Sequence, residues 1–210
     1  MHAPRKQAAQ PRSRATQAAI VEAAARILET SGSAGLTTNA IAARAGVSIG
    51  SLYQYFPNKE AVLAALLRTK RAELLSWMRA AVSANQEAPP EKALQALLDA
   101  GMRHQVERPR LALEAEYAGQ QLHLAEETAA LADEMAQLIL ETVRRLQPAA
   151  GLQEARDVVA IAKGIINAAA LSSEAGGPGL AARVRRAVRG YLREIPSNSA
   201  DSRAASSSMP

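Results

Sequence analysis

Apolar residues recur along this chain at the three-to-four-residue spacing that gives a helix one buried face. Ile20, Ala24, Ile27 and Leu28 set the period in a segment that begins near Ser13. Ser31-Gly32-Ser33-Ala34-Gly35 closes it, with glycine available for the positive φ that helix ends favour. Thr37 or Thr38 can cap a second helix, because a hydroxyl there accepts a bond from an otherwise unpaired backbone N–H. That helix runs to about Ala45. Gly46-Val47-Ser48 turns the chain, and a short third helix reaches Tyr55 before Phe56-Pro57-Asn58 stops it, since the residue before proline avoids the α region.

A long fourth helix is expected from Lys59 to about residue 85, with Val62, Leu63, Leu66, Leu67, Leu74, Trp77 and Met78 along one side. Prolines then punctuate the chain. Ala88-Pro89-Pro90 and Arg108-Pro109 bound a helix over 91–107, and further helices follow over 110–123 and 126–146, the second stopping before Pro148. Residues 152–175 carry Val158, Ile161, Ile165, Ile166 and Ala169 in helical phase. Gly176-Gly177-Pro178-Gly179 breaks that helix, and a last one ends at Glu194.

Composition agrees with an all-α protein. Unbranched helix formers dominate, and aromatics make up only 3% of the 210 residues. The absence of cysteine excludes a disulfide framework, a thiolate zinc site and a cysteine nucleophile. With no apolar run long enough to span a bilayer and no apolar leader, a soluble, cytoplasmic protein with no membrane partner is expected. Charge adds a direction. Residues 1–74 hold ten Lys or Arg against four acids, a net of +6, while the other 136 hold fifteen bases against sixteen acids, a net of −1. A basic end on a near-neutral remainder suits a polyanion site, although a solvated basic face would look the same.

The segment LTTNAIAARAGVSIGSLYQYF, residues 36–56, separates those two readings. A helix-turn-helix needs a braced first helix, a turn with glycine, and a second helix whose early residues enter the major groove. Ile41 and Ala45 give the brace, Gly46 the turn, and Val47 and Leu52 the anchor of the third helix. Ser48, Ile49, Gly50, Ser51, Tyr53 and Tyr55 are left at its start and outer face. Ile49 and Gly50 bring no side-chain hydrogen bonds, so base readout there would rest on a thymine methyl, on Ser51 and on DNA shape. Tyr53 and Tyr55 could instead be packing aromatics, and Lys59 a solvated lysine. A cation at a positive helix N-terminus is nevertheless mildly unfavourable unless an anion lies nearby.

Residues 14–74 resemble the TetR-type DNA-binding domain. The resemblance is carried by Gly35-Leu36-Thr37-Thr38, by Ile41-Ala42 with Ala45-Gly46-Val47-Ser48, and by Leu52-Tyr53-Gln54-Tyr55-Phe56-Pro57-Asn58-Lys59-Glu60. It implies phosphate contacts from Thr38, Tyr53, Tyr55 and Lys59 and base-facing positions at Asn39, Ile49, Gly50 and Ser51, with Thr37 and Ser48 beside them. For residues 75–210 it implies only a helical regulatory and dimerisation domain; a homodimer on double-stranded DNA carrying an inverted repeat, and a small-molecule effector, are the partners expected. The expected plan is a flexible basic arm over 1–12, a three-helix DNA-binding domain over 13–74, a helical-bundle regulatory and dimerisation domain over 75–195, and a disordered tail over 196–210.

Beyond residue 74 no comparable motif appears. His104 and His123 fall on different helices, Glu114 and Glu116 cannot share a helical face, and 176–179 lacks the spacing of a phosphate loop. Neither catalysis, a cofactor nor a metal has a candidate. Trp77, Met102, Tyr117 and Met135 are the larger apolar side chains from which an effector pocket could be built, although such residues are more often plain core. The 152–175 and 180–194 helices suit an intersubunit four-helix bundle. Control by a protein partner, activation instead of repression, and a helical enzyme or structural bundle with an incidental basic end are the competing readings.

Overall fold

The computed structural model describes residues 6–122, 124–171 and 179–196. They form α1 (Lys6–Ser31), a 3-10 turn (Ser33–Gly35), α2 (Thr38–Ala45), α3 (Ile49–Tyr55), α4 (Lys59–Ala84), α5 (Pro90–Glu107), α6 (Pro109–Gln121), α7 (Ala125–Leu146), α8 (Leu152–Leu171) and α9 (Leu180–Glu194). There is no strand among the described residues, and the fold is all-α with an N-terminal helix-turn-helix. No described helix is long and apolar enough to cross a membrane.

The helix boundaries follow the local chemistry that the sequence offers. Thr37 caps α2, its hydroxyl oxygen accepting from the Ala40 N–H at 3.1 Å. Asn58 accepts from the Ala61 N–H at 2.8 Å at the start of α4. One boundary departs from the pattern: α1 begins at Lys6, so residues 6–12 are helical where an irregular arm is expected. Lys6-Gln7-Ala8-Ala9-Gln10 are good helix formers, and α1 runs through Pro11, which has no backbone N–H for the helical bond. Residues 1–5, His123, the 172–178 break and the tail from 197 lie outside the described residues, as do the side chains of His104 and Glu116.

The chain divides into two compact units. The first runs through Ala72 and takes in 108–125; the second comprises 73–107 and the chain from Glu126 onward. Residues of α4 are therefore shared between the units, and α6 belongs with α1 to α3 although α5 and α7, its neighbours in sequence, belong to the second unit.

The first unit is built around Ile20, Leu28, Leu36, Ile41, Leu52, Phe56, Val62 and Leu66, all buried in one cluster, with Leu111 of α6 among them. Charged groups fix α6 there. Glu22 and Glu29 lie two turns apart on one side of α1, and Arg108, at the head of α6, reaches both. Its Nε and Nη2 donate to the Glu29 carboxylate, the latter at 2.7 Å, and its Nη1 donates to Glu22 at 3.2 Å. The Ser33 N–H donates to Glu114 of α6 at 3.2 Å, where Gly32 holds a positive φ of 66°. In the second unit α4, α5, α7, α8 and α9 enclose Met78, Leu97, Ile139, Val158, Val184 and Leu192.

Candidate nucleic-acid interface

α2 and α3 are held at a fixed turn by three backbone features. Gly46 ends α2 in the left-handed region, φ 69° and ψ 30°, which a residue with a Cβ adopts only with strain. The Val47 N–H then donates to the Ala42 carbonyl at 3.1 Å. Ser48 caps α3 through the Ser51 N–H at 3.0 Å, and its hydroxyl meets that of Ser51 at 2.8 Å. Beneath them Ile41, Ala42 and Leu52 are buried.

What this arrangement presents is an outward face on α3. Three large hydrophobic side chains are exposed among the described residues: Ile49 at 39%, Tyr53 at 52% and Tyr117 at 54%. Two of the three stand on this one seven-residue helix, so α3 concentrates exposed apolar surface on its outer face. Tyr53 also meets α2, its phenol oxygen lying 3.3 Å from the Thr38 hydroxyl. Asn39, Ser48, Gly50 and Lys59 are exposed, and Ser51 is half-buried.

Not every expected contact stands equally free. Tyr55 is half-buried and packs against the unit's core. The Thr37 hydroxyl oxygen already serves as the α2 cap. Two exposed polar side chains are absent from the expected contacts, Arg44 in the last turn of α2 and Gln54 on α3. Gln54 follows Gly50 by four residues and so shares its face, a periodicity already present in the sequence.

The proposed effector residues are divided between the units, Tyr117 in the first and Trp77, Met102 and Met135 in the second. Met102 is buried in the second unit's core, and Met135 packs against that core. Trp77 is half-buried with the Arg103 guanidinium 5.0 Å from its ring centroid, a cation–π contact. Tyr117 belongs to the first unit and is exposed.

The helix-turn-helix segment matches a known family profile. The profile described as "Bacterial regulatory proteins, tetR family" matches residues 20–66, the stretch from within α1 through the helix-turn-helix into α4. Residues 20–66 thus match the DNA-binding part of the TetR family. No curated protein matches its sequence. Among solved structures it is similar to a TetR-family transcriptional regulator from Streptomyces coelicolor, at 22% identity and a TM-score of 0.64, covering 86% of this chain and 99% of that one. The fatty acid degradation regulator FadR from Bacillus halodurans is 18% identical with a TM-score of 0.64, covering 87% and 97%. SmeT in complex with triclosan is 23% identical, also with a TM-score of 0.64, covering 85% and 90%. At these identities the likeness establishes the shared fold. DNA binding in the service of transcription is the activity that goes with the family.

Proposed function

We propose that this protein is a TetR-family regulator, a cytoplasmic, homodimeric repressor that grips an inverted-repeat operator through α2, α3 and the start of α4, and releases it when a small molecule binds the region 75–195. The observation that carries the reading is the exposure of Ile49 and Tyr53 on α3 beside the polar groups of Ser48, Ser51 and Gln54. A face of that composition fits base edges and thymine methyls. The Thr38 and Tyr53 hydroxyls, together with Lys59, supply donors for phosphates on either side.

Two features support the regulatory part. Ala160, Gly164 and Ala168 leave small side chains exposed at four-residue intervals on α8, next to half-buried Ile161 and Ile165, a surface on which a second copy could pack closely. The second unit concentrates Met78 and Met102 in its core, with Met135 against it, and thioethers repack readily around varied apolar ligands. SmeT, of the same fold, takes triclosan. Because α4 runs from Lys59, beside the proposed phosphate contacts, to Ala84 in the second unit, a shift of its far end would change the spacing of two reading heads.

To test the reading, the full chain is used to select duplexes from a random pool, and metabolites are screened for release of the selected duplex. A ligand that differentiates the two states is expected to lower affinity about 5–150-fold. Ligands that bind the second unit tightly and leave DNA affinity unchanged would overturn the induction step.

A further inference from the structure

Gly50 is a glycine that the folded chain does not require. It occupies the second position of α3, exposed, with a backbone outside the positive-φ region. A Cβ there would meet only the Ser48 Oγ at 3.9 Å, an ordinary van der Waals distance. Gly46, four residues earlier, differs, because its φ of 69° demands glycine. Alanine is the better residue in a helix, so the missing methyl at Gly50 weakens α3 with no compensating contact inside the protein. Any compensation has to come from whatever docks on α3.

The surroundings of the gap say what could fill it. Ile49, the residue before, is 39% exposed and offers only hydrocarbon. Gln54, one turn on, is exposed and lies on the same face. In the major groove thymine alone presents a methyl group; cytosine presents an amine, and both purines present acceptors. We propose that Gly50 is a notch that receives a thymine 5-methyl group against Ile49, which makes Gly50 a specificity-determining residue. The inference rests on α3 being the base-reading helix. In the notch the thymine methyl takes the place that an alanine side chain would otherwise occupy.

The experiment exchanges one methyl for the other. Full-chain protein first selects a duplex from a random pool, and each thymine of that duplex is then replaced singly by uracil, which removes the methyl and keeps the base pair. With the parent protein, one thymine in each half-site is expected to lose about fourfold in affinity, the value of one buried methyl. Gly50→Ala is expected to bind the thymine duplex about tenfold more weakly, because two methyls compete for one volume. Uracil at that position is expected to restore binding by Gly50→Ala, and the variant should melt at a higher temperature than the parent, which separates the effect from unfolding. A flat uracil scan with the parent would overturn the notch. Equal weakening of Gly50→Ala on thymine, uracil and random duplexes would also overturn it, and would point instead to close approach of the phosphate backbone. Failure to enrich any duplex would overturn the base-reading role of α3 itself, before uracil is introduced.

Discussion

The Thr38 hydroxyl at the start of α2 lies 3.3 Å from the phenol oxygen of Tyr53 on α3, so two helices place hydroxyl groups side by side on an exposed surface. In the free protein each can satisfy the other, and on DNA both can turn to one phosphate. Tyr53→Phe keeps the ring and deletes the hydroxyl. It is expected to weaken selected and random duplexes alike by about 1 kcal/mol, roughly fivefold, as measured by fluorescence anisotropy. A loss confined to the selected duplex would assign Tyr53 to base reading instead.

Lys59 is exposed at the positive end of α4, where a cation gains little from the helix itself. Lys59→Ala should lower the slope of log affinity against log salt by about 0.9 per protomer, the signature of one lost phosphate contact. An unchanged slope would remove Lys59 from the interface.

Gln54 is expected to read a base. Its amide can pair with both the acceptor and the donor of an adenine edge, a contact worth about 1–3 kcal/mol of discrimination. Repeating the selection with Gln54→Ala should relax the preference at one position of each half-site and leave affinity for random DNA unchanged.

The Arg108 clamp makes a prediction about acid. The hydrogen bond from Arg108 holds the Glu29 carboxyl below its usual range against the opposing effect of burial. For Glu22, burial pushes upward, but the bonds and charges of Arg26 and Arg108 outweigh it, and the net shift is also downward. Carboxylates depressed in the folded state contribute stability that is present above their ordinary pKa of 4.5 and lost as pH falls through the lower folded value. Arg108→Ala should therefore speed hydrogen exchange in α1 and α6 at neutral pH, by an amount equivalent to about 1–2 kcal/mol. The difference from the parent should shrink as pH falls below about 4. An undiminished difference in acid would show that packing around Leu111, not the ion pairs, holds α6.

Much of the fold is legible in the sequence because its punctuation is chemical. The Thr37 cap, the Gly46 turn, the Ser48 cap and the Asn58 cap each use a residue whose local preference and final role coincide. The start of α1 is less legible, since Pro11 argues for a break that the helix formers around it override. The placement of α6 could not be read at all. Pairing Arg108 with Glu22 and Glu29 spans 86 and 79 residues, and no local pattern reports a contact at that separation. Gln54 is missing from the expected contacts, although its four-residue offset to Gly50 places it on the same helix face. The exposure of Tyr117 was not legible, because an apolar residue in an amphipathic helix reads the same whether or not another element covers it.

Equilibrium binding of the full chain to two duplexes shows whether two copies of the protein read one operator together. One carries the selected inverted repeat, with half-site centres about 34–36 Å apart or a multiple of that; the other has one half-site scrambled. Linked reading heads gain affinity by effective concentration, so scrambling one half-site should cost about a hundredfold or more, with a dimer on the intact duplex. Equal affinity for both duplexes, with a single protomer bound to each, would show that each copy reads its half-site alone.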